Sequence, residues 1–533
     1  MRAPVDNFQL ASEMGSEVEE LHNYRPGGYH PVAIGDLLGT DNRFRVVHKL
    51  GHGGYATVWL CHDMLTRKWR AVKIMAARAS TPDCAELKAL ELFKDIDSDT
   101  LKGNHIQLAL EHFWIDGPNG RHLAFVLPLL GRNLTKLYSC YGHVPELMKD
   151  ICVQIVEALR FIHSHGLCHG DFRPDNIVFR LTDGVEEWEE EALMKILGEV
   201  ERIPVRSIDG RETGLEPSVP AYLVLRASID YGSALCSTNI AVIDFGVSYH
   251  ASQPPVGTGT FVPLPYAGPD DVFEQDRSMG FPTDIWALGC TITKVRLGFL
   301  PFASEYDGVL TAVRKMEAIM GPMPNPYRIM WKNWDYRFVN CEDEEGNLRD
   351  DDSWKDESVY ASLQTERQQQ IREERVREVG VWNHLEYRMH HTLVMVIDHE
   401  EAADIAAQAK ANLGRLPSYN QECSGVGYKR AVKYKMEKPE AKQMFDLLSS
   451  IFKWHPEQRA TLADILNHEW FGERGRNRAV SSGPKAPRRR SPKPRRGKKA
   501  KRSRCTLSEF AGRGVVTRIG LMADHGMARC ERG

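Results

Sequence analysis

A chain of 533 residues, 42% apolar and 26% charged, can bury a sizeable core and reads as two or three packing units. No apolar run approaches the ~18 residues of a membrane span, residues 1–29 lack the basic-then-apolar pattern of a secretory leader, and none of the eleven cysteines forms a Cys-x-x-Cys pair, which argues against zinc ribbons and thioredoxin-like sites. The net charge of −3 conceals an asymmetry: fifteen Lys and Arg and no acid lie between Arg474 and Arg504, so the body is moderately acidic and the tail basic.

The scattered, odd-numbered cysteines read as reduced thiols, which leads to an expectation of cytoplasm and nucleus. Cys84, Cys168 and Cys290 are expected to be small core residues. Residues 1–40 are polar around Pro26-Gly27-Gly28 and are read as an extended arm. Arg43 to Lys49, Thr57 to Cys61 and Trp69 to Met75 read as strands of an antiparallel sheet around a glycine cluster. Asp83 to Lys94 has helical spacing, with Leu87, Leu90 and Phe93 on one face. Ile106 to Trp114 and His122 to Leu130 are two more strand-like runs, with Asn119-Gly120 as a hairpin signal between them.

Past Gly131 the pattern turns helical. Leu147, Ile151, Ile155, Leu159 and Ile162 recur at four- and three-residue steps behind Pro145, and Gly166 ends the run. Short strands are expected at Asn176–Leu181 and Ile240–Ile243. Between them lies an insert of about 182–237 with an acidic helix-like piece from Glu186 to Leu197. A second insert, about 339–434, opens on Glu342-Asp343-Glu344-Glu345 and continues with a charged helix around Gln364–Val379. Gln443 to Trp454 and Leu462 to Trp470 read as closing helices. The expected domains are an arm at 1–40, a sheet-rich lobe at 41–130, a helical lobe at 131–471 and a disordered tail at 472–533. The fold class is α+β and bilobal, with a cleft suited to a ligand.

The chemistry sits in four segments. Leu50-Gly51-His52-Gly53-Gly54-Tyr55-Ala56-Thr57-Val58 is a glycine-rich turn between strands, where backbone N–H groups can approach phosphate without a Cβ in the way. Lys73, in the apolar run Ala71-Val72-Lys73-Ile74, is costly to bury unless an anion meets it. Glu86 is the candidate partner and Glu91 the alternative. His169-Gly170-Asp171-Phe172-Arg173-Pro174-Asp175-Asn176 presents an acid, a cation and an amide oxygen in one loop. Phosphoryl transfer uses such groups to orient a hydroxyl, neutralise the γ-phosphate and bind Mg²⁺. Ile243-Asp244-Phe245-Gly246 supplies a carboxylate suited to a second Mg²⁺ contact.

In this order the segments resemble the eukaryotic protein-kinase signature, from about Arg43 to Phe471 with two interruptions. The likeness implies the bilobal protein-kinase fold, ATP and Mg²⁺ as cofactors, and transfer of the γ-phosphate to protein Ser or Thr. It implies that residues 50–58 form the lid over the nucleotide, that Lys73 holds the α/β-phosphates and pairs with Glu86, and that Asp171 is the base or orienter. Arg173 then stands beside Asp171 as the catalytic-loop cation, and Asn176 and Asp244 hold the metal. Ala71, Leu127 as gatekeeper and Leu130 in the hinge would line the adenine. Asp284 in Thr283-Asp284-Ile285-Trp286-Ala287-Leu288-Gly289 would brace the catalytic loop, a helix N-cap being the plainer reading, and Asp270 would pair with Arg459.

Gly27-Gly28-Tyr29-His30, Ile34-Gly35-Asp36-Leu37 and Ile115-Asp116-Gly117-Pro118-Asn119-Gly120 are similar to stretches of the SR protein kinases of fungal type. That likeness implies basic Arg-Ser-rich substrates. Apart from it, a monomer without a membrane partner is expected, with nucleic acid only through the basic tail. Gly170 stands where the family has Arg, which normally receives an activation-loop phosphate, so no activating phosphorylation is expected. Arg173 stands where the family has Lys. These two departures leave a weakened or inactive kinase open. Small-molecule phosphotransferases share His169-Gly170-Asp171, Asn176 and Ile243-Asp244 but not the Asp284 string or Arg459. A pseudokinase scaffold or an RNA-bound adaptor acting through the basic tail is a second alternative.

Overall fold

The computed structural model describes residues 8–10, 18–208, 216–227, 235–255, 262–273, 280–302, 308–324, 327–328, 394–395, 399–411, 414–416, 432–433 and 436–474. The acidic runs at 342–345 and 350–352, the charged helix expected at 364–379 and the basic tail beyond Arg474 lie outside these residues. None of residues 483–533 is described. No helix among the described residues is long and apolar enough to cross a membrane.

The N-terminal lobe is built on one antiparallel sheet. After β1 (Phe8–Leu10) come β2 (Leu37–Leu38), β3 (Phe44–Gly53), β4 (Ala56–Asp63) and β5 (Lys68–Met75). Helix α1 (Ala85–Phe93), helix α2 (Ser98–Gly103) and the strands β6 (Glu111–Gly117) and β7 (Gly120–Pro128) follow. The sheet order is β2-β3-β4-β5-β7-β6. Apolar, β-branched and aromatic residues alternate onto one face, where Val46, Trp59, Val72, Ile74, Ala124 and Val126 pack together. Cys84 sits at the N-cap of α1 and is only half-buried, unlike the buried Cys168 and Cys290, so the core expectation for Cys84 is corrected.

Two local readings change. The strand expected from Ile106 begins only at Glu111. At the start of this run the backbone is bonded to the C-terminal lobe: Gln107 N–H donates to Val242 O at 3.0 Å and Val242 N–H to His105 O at 2.7 Å, and only at Leu110, whose N–H donates to Val126 O at 2.7 Å, does the chain join the N-terminal sheet. In the hairpin, Gly117 pairs with Gly120, so the turn residues are Pro118 and Asn119 and the glycine opens the strand at φ +131°. Asn119 is buried instead of facing water, because its amide donates to the carbonyls of Tyr29 and Ser218, both at 2.8 Å.

Within the stretch read as an extended arm, residues 18–32 are packed. Val18, Leu21, Tyr24, Tyr29 and Val32 are buried, and Glu19 forms an ion pair with the fully buried Lys49 of β3. A charged pair so far from water costs more to break than an exposed one, so this segment is held as part of the lobe.

The C-terminal lobe starts with α3 (Leu137–Tyr141) and α4 (Pro145–Ser164). Pro145 occupies the first turn of α4, where a missing N–H costs nothing. Leu147, Ile151, Ile155, Leu159 and Ile162 are all buried. Gly166, at φ +76°, turns the chain out of the helix into β8 (Leu167–Cys168). The catalytic-loop region leads into β9 (Ile177–Leu181).

The first insert returns to the N-terminal lobe. Glu186 binds Lys68 and Arg70, each at 2.6 Å, and the Trp69 indole N–H donates to Trp188 O at 2.7 Å. Helix α5 (Glu190–Leu197) then lays Leu193 and Leu197 against Val47, Leu60, Trp69 and Leu129. β10 (Arg202–Ser207) and β11 (Tyr222–Val224) form a small sheet with β1, an element with no signal beyond the prolines around it. β12 (Cys236–Val242) pairs antiparallel with β9, and β13 (Tyr249–His250) pairs with β8. Helices α6 (Pro269–Phe273), α7 (Phe281–Leu297) and α8 (Val309–Met320) follow, with further helices at His399–Ala411, Lys438–Ile451 and Leu462–Asn467. Helix α7 is buried along nearly its whole length, so it serves as the post on which the loops of this lobe rest.

Candidate active site

The lid is the β3–β4 hairpin. Gly51 pairs with Val58, His52 with Thr57 and Gly53 with Ala56, leaving Gly54 and the exposed Tyr55 as the turn. A Cβ at Gly51, Gly53 or Gly54 would meet no atom of the chain within 4 Å. The protein's own packing therefore does not demand these glycines; they leave clear the space into which a phosphate would come. Leu50, at the base of the lid, packs beside Leu129 of the hinge. Ala71 and Leu127 are cross-strand neighbours on β5 and β7, and Leu130 is half-buried just beyond β7.

Lys73 sits on β5 beside Val58 of the lid strand. Its ammonium lies 2.8 Å from Glu86 on α1 and 2.7 Å from Asp244. Glu91, the alternative partner, is exposed and pairs with Lys94. Burial alone would lower the Lys73 pKa; the Asp244 and Glu86 charges outweigh it and hold the group well above the usual lysine range. Burial raises Glu86 despite Lys73, whereas Asp244, also pushed up by burial, is carried below its ordinary value by the Lys73 charge and hydrogen bond. A Lys73→Met variant leaves both carboxylates without their cation, and breaking a buried pair costs about 3–5 kcal/mol. The Glu86 pKa then rises further above its unfolded value. A carboxyl raised in this way loses stability as pH rises through its folded pKa. The melting-temperature deficit of this variant against wild type is therefore expected to shrink from pH 7.5 to pH 5.5; a constant deficit would refute the coupling.

The catalytic loop is anchored from below. Asp284, in the first turn of α7, accepts from His169 N–H at 2.8 Å and Gly170 N–H at 3.0 Å, and His163 Nε2 lies 2.9 Å away. It lies inside the helix, so its carboxylate serves the loop and not the N-cap. Burial raises its pKa, but the His163 hydrogen bond and the His163 and His169 charges bring it below the ordinary carboxylate value. His163 carried no signal in the sequence; only the crossing of α4 and α7 brings it here. Thr291, two turns further along the same face of α7, donates to Phe172 O at 3.1 Å.

Asp171 stands above this anchor. Arg173 Nε donates to its Oδ1 at 2.9 Å, and Asn176 Nδ2 donates at 2.8 Å both to its Oδ2 and to its backbone carbonyl. With Nδ2 so engaged, the Asn176 amide presents oxygen as its remaining side-chain group. Arg173 also reaches Asp175 at 3.0 Å, and although burial alone would lower it, the Asp171 and Asp175 charges raise it. Ile243 N–H donates to Asn176 O at 3.0 Å, which carries Asp244 to the same place at φ +63°. Phe245 is buried between Phe93 of α1 and His169, with ring centroids at 6.4 and 5.1 Å. Asn176 and Asp244 are hard oxygen donors facing a Lys–carboxylate cluster, a donor set that fits Mg²⁺.

The structure thus brings Lys73, Glu86, Asp171, Arg173, Asn176 and Asp244 to one cleft below residues 50–58. Lower in the lobe, Arg459 forms a two-pronged ion pair with Asp270, with Nη1 at 3.2 Å from Oδ2.

The family model for the protein kinase domain matches residues 44–196 and 234–471, most of the chain on both sides of the first insert. The chain belongs to the protein kinase family. Among curated proteins, this kinase is 35% identical over 185 residues to the serine/threonine-protein kinase spk-1 of Caenorhabditis briggsae, covering 34% of this chain and 16% of that protein. It is 37% identical over 174 residues to the serine/threonine-protein kinase SKY1 of Saccharomyces cerevisiae, covering 31% and 23%. It is 34% identical over 207 residues to human SRSF protein kinase 3, covering 36% of each. The chain spans only 16% to 36% of the length of these relatives.

Proposed function

We propose that this kinase transfers the γ-phosphate of ATP to serine or threonine hydroxyls of basic, Arg-Ser-rich proteins. The observation that carries the transferase reading is the meeting of Asp171, Asn176, Asp244 and Lys73 in one cleft, with the loop under Asp171 fixed by Asp284. Asp171 receives the hydrogen bond of the incoming hydroxyl, orients its oxygen and takes its proton as the new bond forms. Lys73, held by Glu86, balances the charge of the nucleotide phosphates, and Arg173 adds a fixed cation beside the reacting groups. Asn176 and Asp244 would hold Mg²⁺, which neutralises phosphate-oxygen charge when bound.

The substrate class is supported by the relatives' names, one of them an SRSF protein kinase. The acidic body could attract basic peptides, most strongly at low salt. An Arg-Ser repeat peptide is expected to be phosphorylated faster than an acidic peptide of equal length, with the advantage falling as salt rises. Equal rates would remove the substrate reading and leave the transferase reading standing. Residence in cytoplasm and nucleus belongs to the same proposal, supported by the thiol usage and the basic tail.

A further inference from the structure

We propose that Tyr29 and Arg78 are positioning residues that hold the tip of the nucleotide lid at a fixed height, an inference that rests on the kinase reading above. The Tyr29 hydroxyl donates to Gly53 O, and Arg78 Nη2 donates to Gly54 O at 2.8 Å. Both carbonyls belong to the hairpin tip, and the Arg78 guanidinium also lies over the Tyr55 ring, 5.7 Å from its centroid. A lid of adjacent glycines has the most backbone freedom to lose on closing over a phosphate. Two side chains bonded to its tip remove part of that freedom beforehand.

The two residues share one anchored frame. Arg78 N–H donates to Gly27 O at 2.7 Å and Ala77 N–H to Gly28 O at 2.9 Å, which ties the turn after β5 to the segment carrying Tyr29. Gly27 N–H donates to Asn119 O at 2.8 Å, and Asn119 returns a bond to Tyr29 O. No side chain fits at Gly28, whose Cβ would lie 1.8 Å from Asn23 O. Beneath Tyr29, the Tyr24 ring meets it edge-on at 5.6 Å, and the Tyr24 hydroxyl donates to Glu19 Oε1 at 2.6 Å. Glu19 in turn pairs with Lys49 on β3, the strand that runs into Gly51. The frame therefore grips the lid at its base through Lys49 and at its tip through Gly53 and Gly54.

Tyr29 and Arg78 hold only the tip of the lid, the glycine turn suited to phosphate and not the base of the lid beside the hinge, which gives a test separable from folding. Affinities for a non-hydrolysable ATP analogue and for adenosine are measured in the full chain for wild type, Tyr29→Phe, Arg78→Ala and the double variant. Each single variant loses one hydrogen bond, and the expected weakening for the ATP analogue is about three- to tenfold, with adenosine affinity within about twofold of wild type. The double variant weakens the analogue further. An unchanged analogue affinity in the double variant, or an equal loss for adenosine, would overturn the inference. A wild type that bound neither ligand would overturn the kinase reading itself.

Discussion

Asp171→Ala is expected to lower kcat on an Arg-Ser peptide by about 10²–10⁴, the range that a positioned acid–base group contributes, while ATP affinity stays close to wild type. The choice of alanine follows from the hydrogen bonds. Asn176 Nδ2 donates to both the carboxylate and the backbone carbonyl of Asp171, so truncation leaves the second bond and keeps the Asn176 oxygen in place. Arg173 likewise keeps Asp175. In Asp171→Asn an amide oxygen at the Oδ2 position can still accept from both Asn176 Nδ2 and Arg173 Nε, at 2.8 and 3.1 Å, so that variant should keep the loop's bonds and lose turnover as the alanine variant does. Turnover within tenfold of wild type for Asp171→Ala would show that this carboxylate does not act on the hydroxyl.

Gly170→Arg, which restores the residue that most protein kinases carry, is expected to damage this one. Gly170 is at φ +80°, and a Cβ there would lie 2.7 Å from Val247 O and 3.5 Å from the Tyr249 ring. The left-handed conformation alone costs a non-glycine residue roughly 1–2 kcal/mol, and the backbone carbonyl cannot move aside like a side chain. Relief of the clash would shift Gly170 N–H from Asp284 and so displace Asp171. The expected result is a melting temperature lower by several degrees and turnover reduced at least tenfold, with Gly170→Ala in between. The Tyr249 ring borders the space a side chain at Gly170 would enter, and its strand pairs with β8, Tyr249 opposite Cys168 and His250 opposite Leu167. The chain just after Asp244-Phe245-Gly246 is thus fastened by backbone pairing, which supports the expectation that no activating phosphate is needed. Phosphatase-treated enzyme should keep its full turnover; a large drop would contradict this account, and a Gly170→Arg variant with wild-type melting and turnover would show that the loop tolerates a side chain.

What could be read directly was whatever lies within a few residues along the chain. The offsets Asp171, Arg173 and Asn176 are confined to one loop, the glycines of residues 50–58 to one hairpin, and the apolar steps of α4 to one helix face. A short chain segment has few conformations that satisfy its own backbone, so residue type and spacing carry its geometry. The Lys73–Glu86 pairing was also legible, because an ammonium in an apolar strand demands a carboxylate and the next helix offered two. The start of the strand expected at 106–114 was misread for the complementary reason: Ile106 and its neighbours suit a strand, but the backbone of His105 and Gln107 bonds to Val242, far along the chain, and the strand begins only at Glu111.

By itself, the sequence determined the bilobal class, the segments that bear the chemistry and the acidic body with its basic tail. Tertiary structure alone decided that residues 18–32 are packed against β3 and the lid, that Glu186 and Trp188 clasp the other lobe, that His163 supports Asp284, and that Val247 O and the Tyr249 ring crowd the space a side chain at Gly170 would enter. Each of these joins groups that chain-local spacing cannot relate, since a buried polar atom takes whichever partner the packing brings within reach.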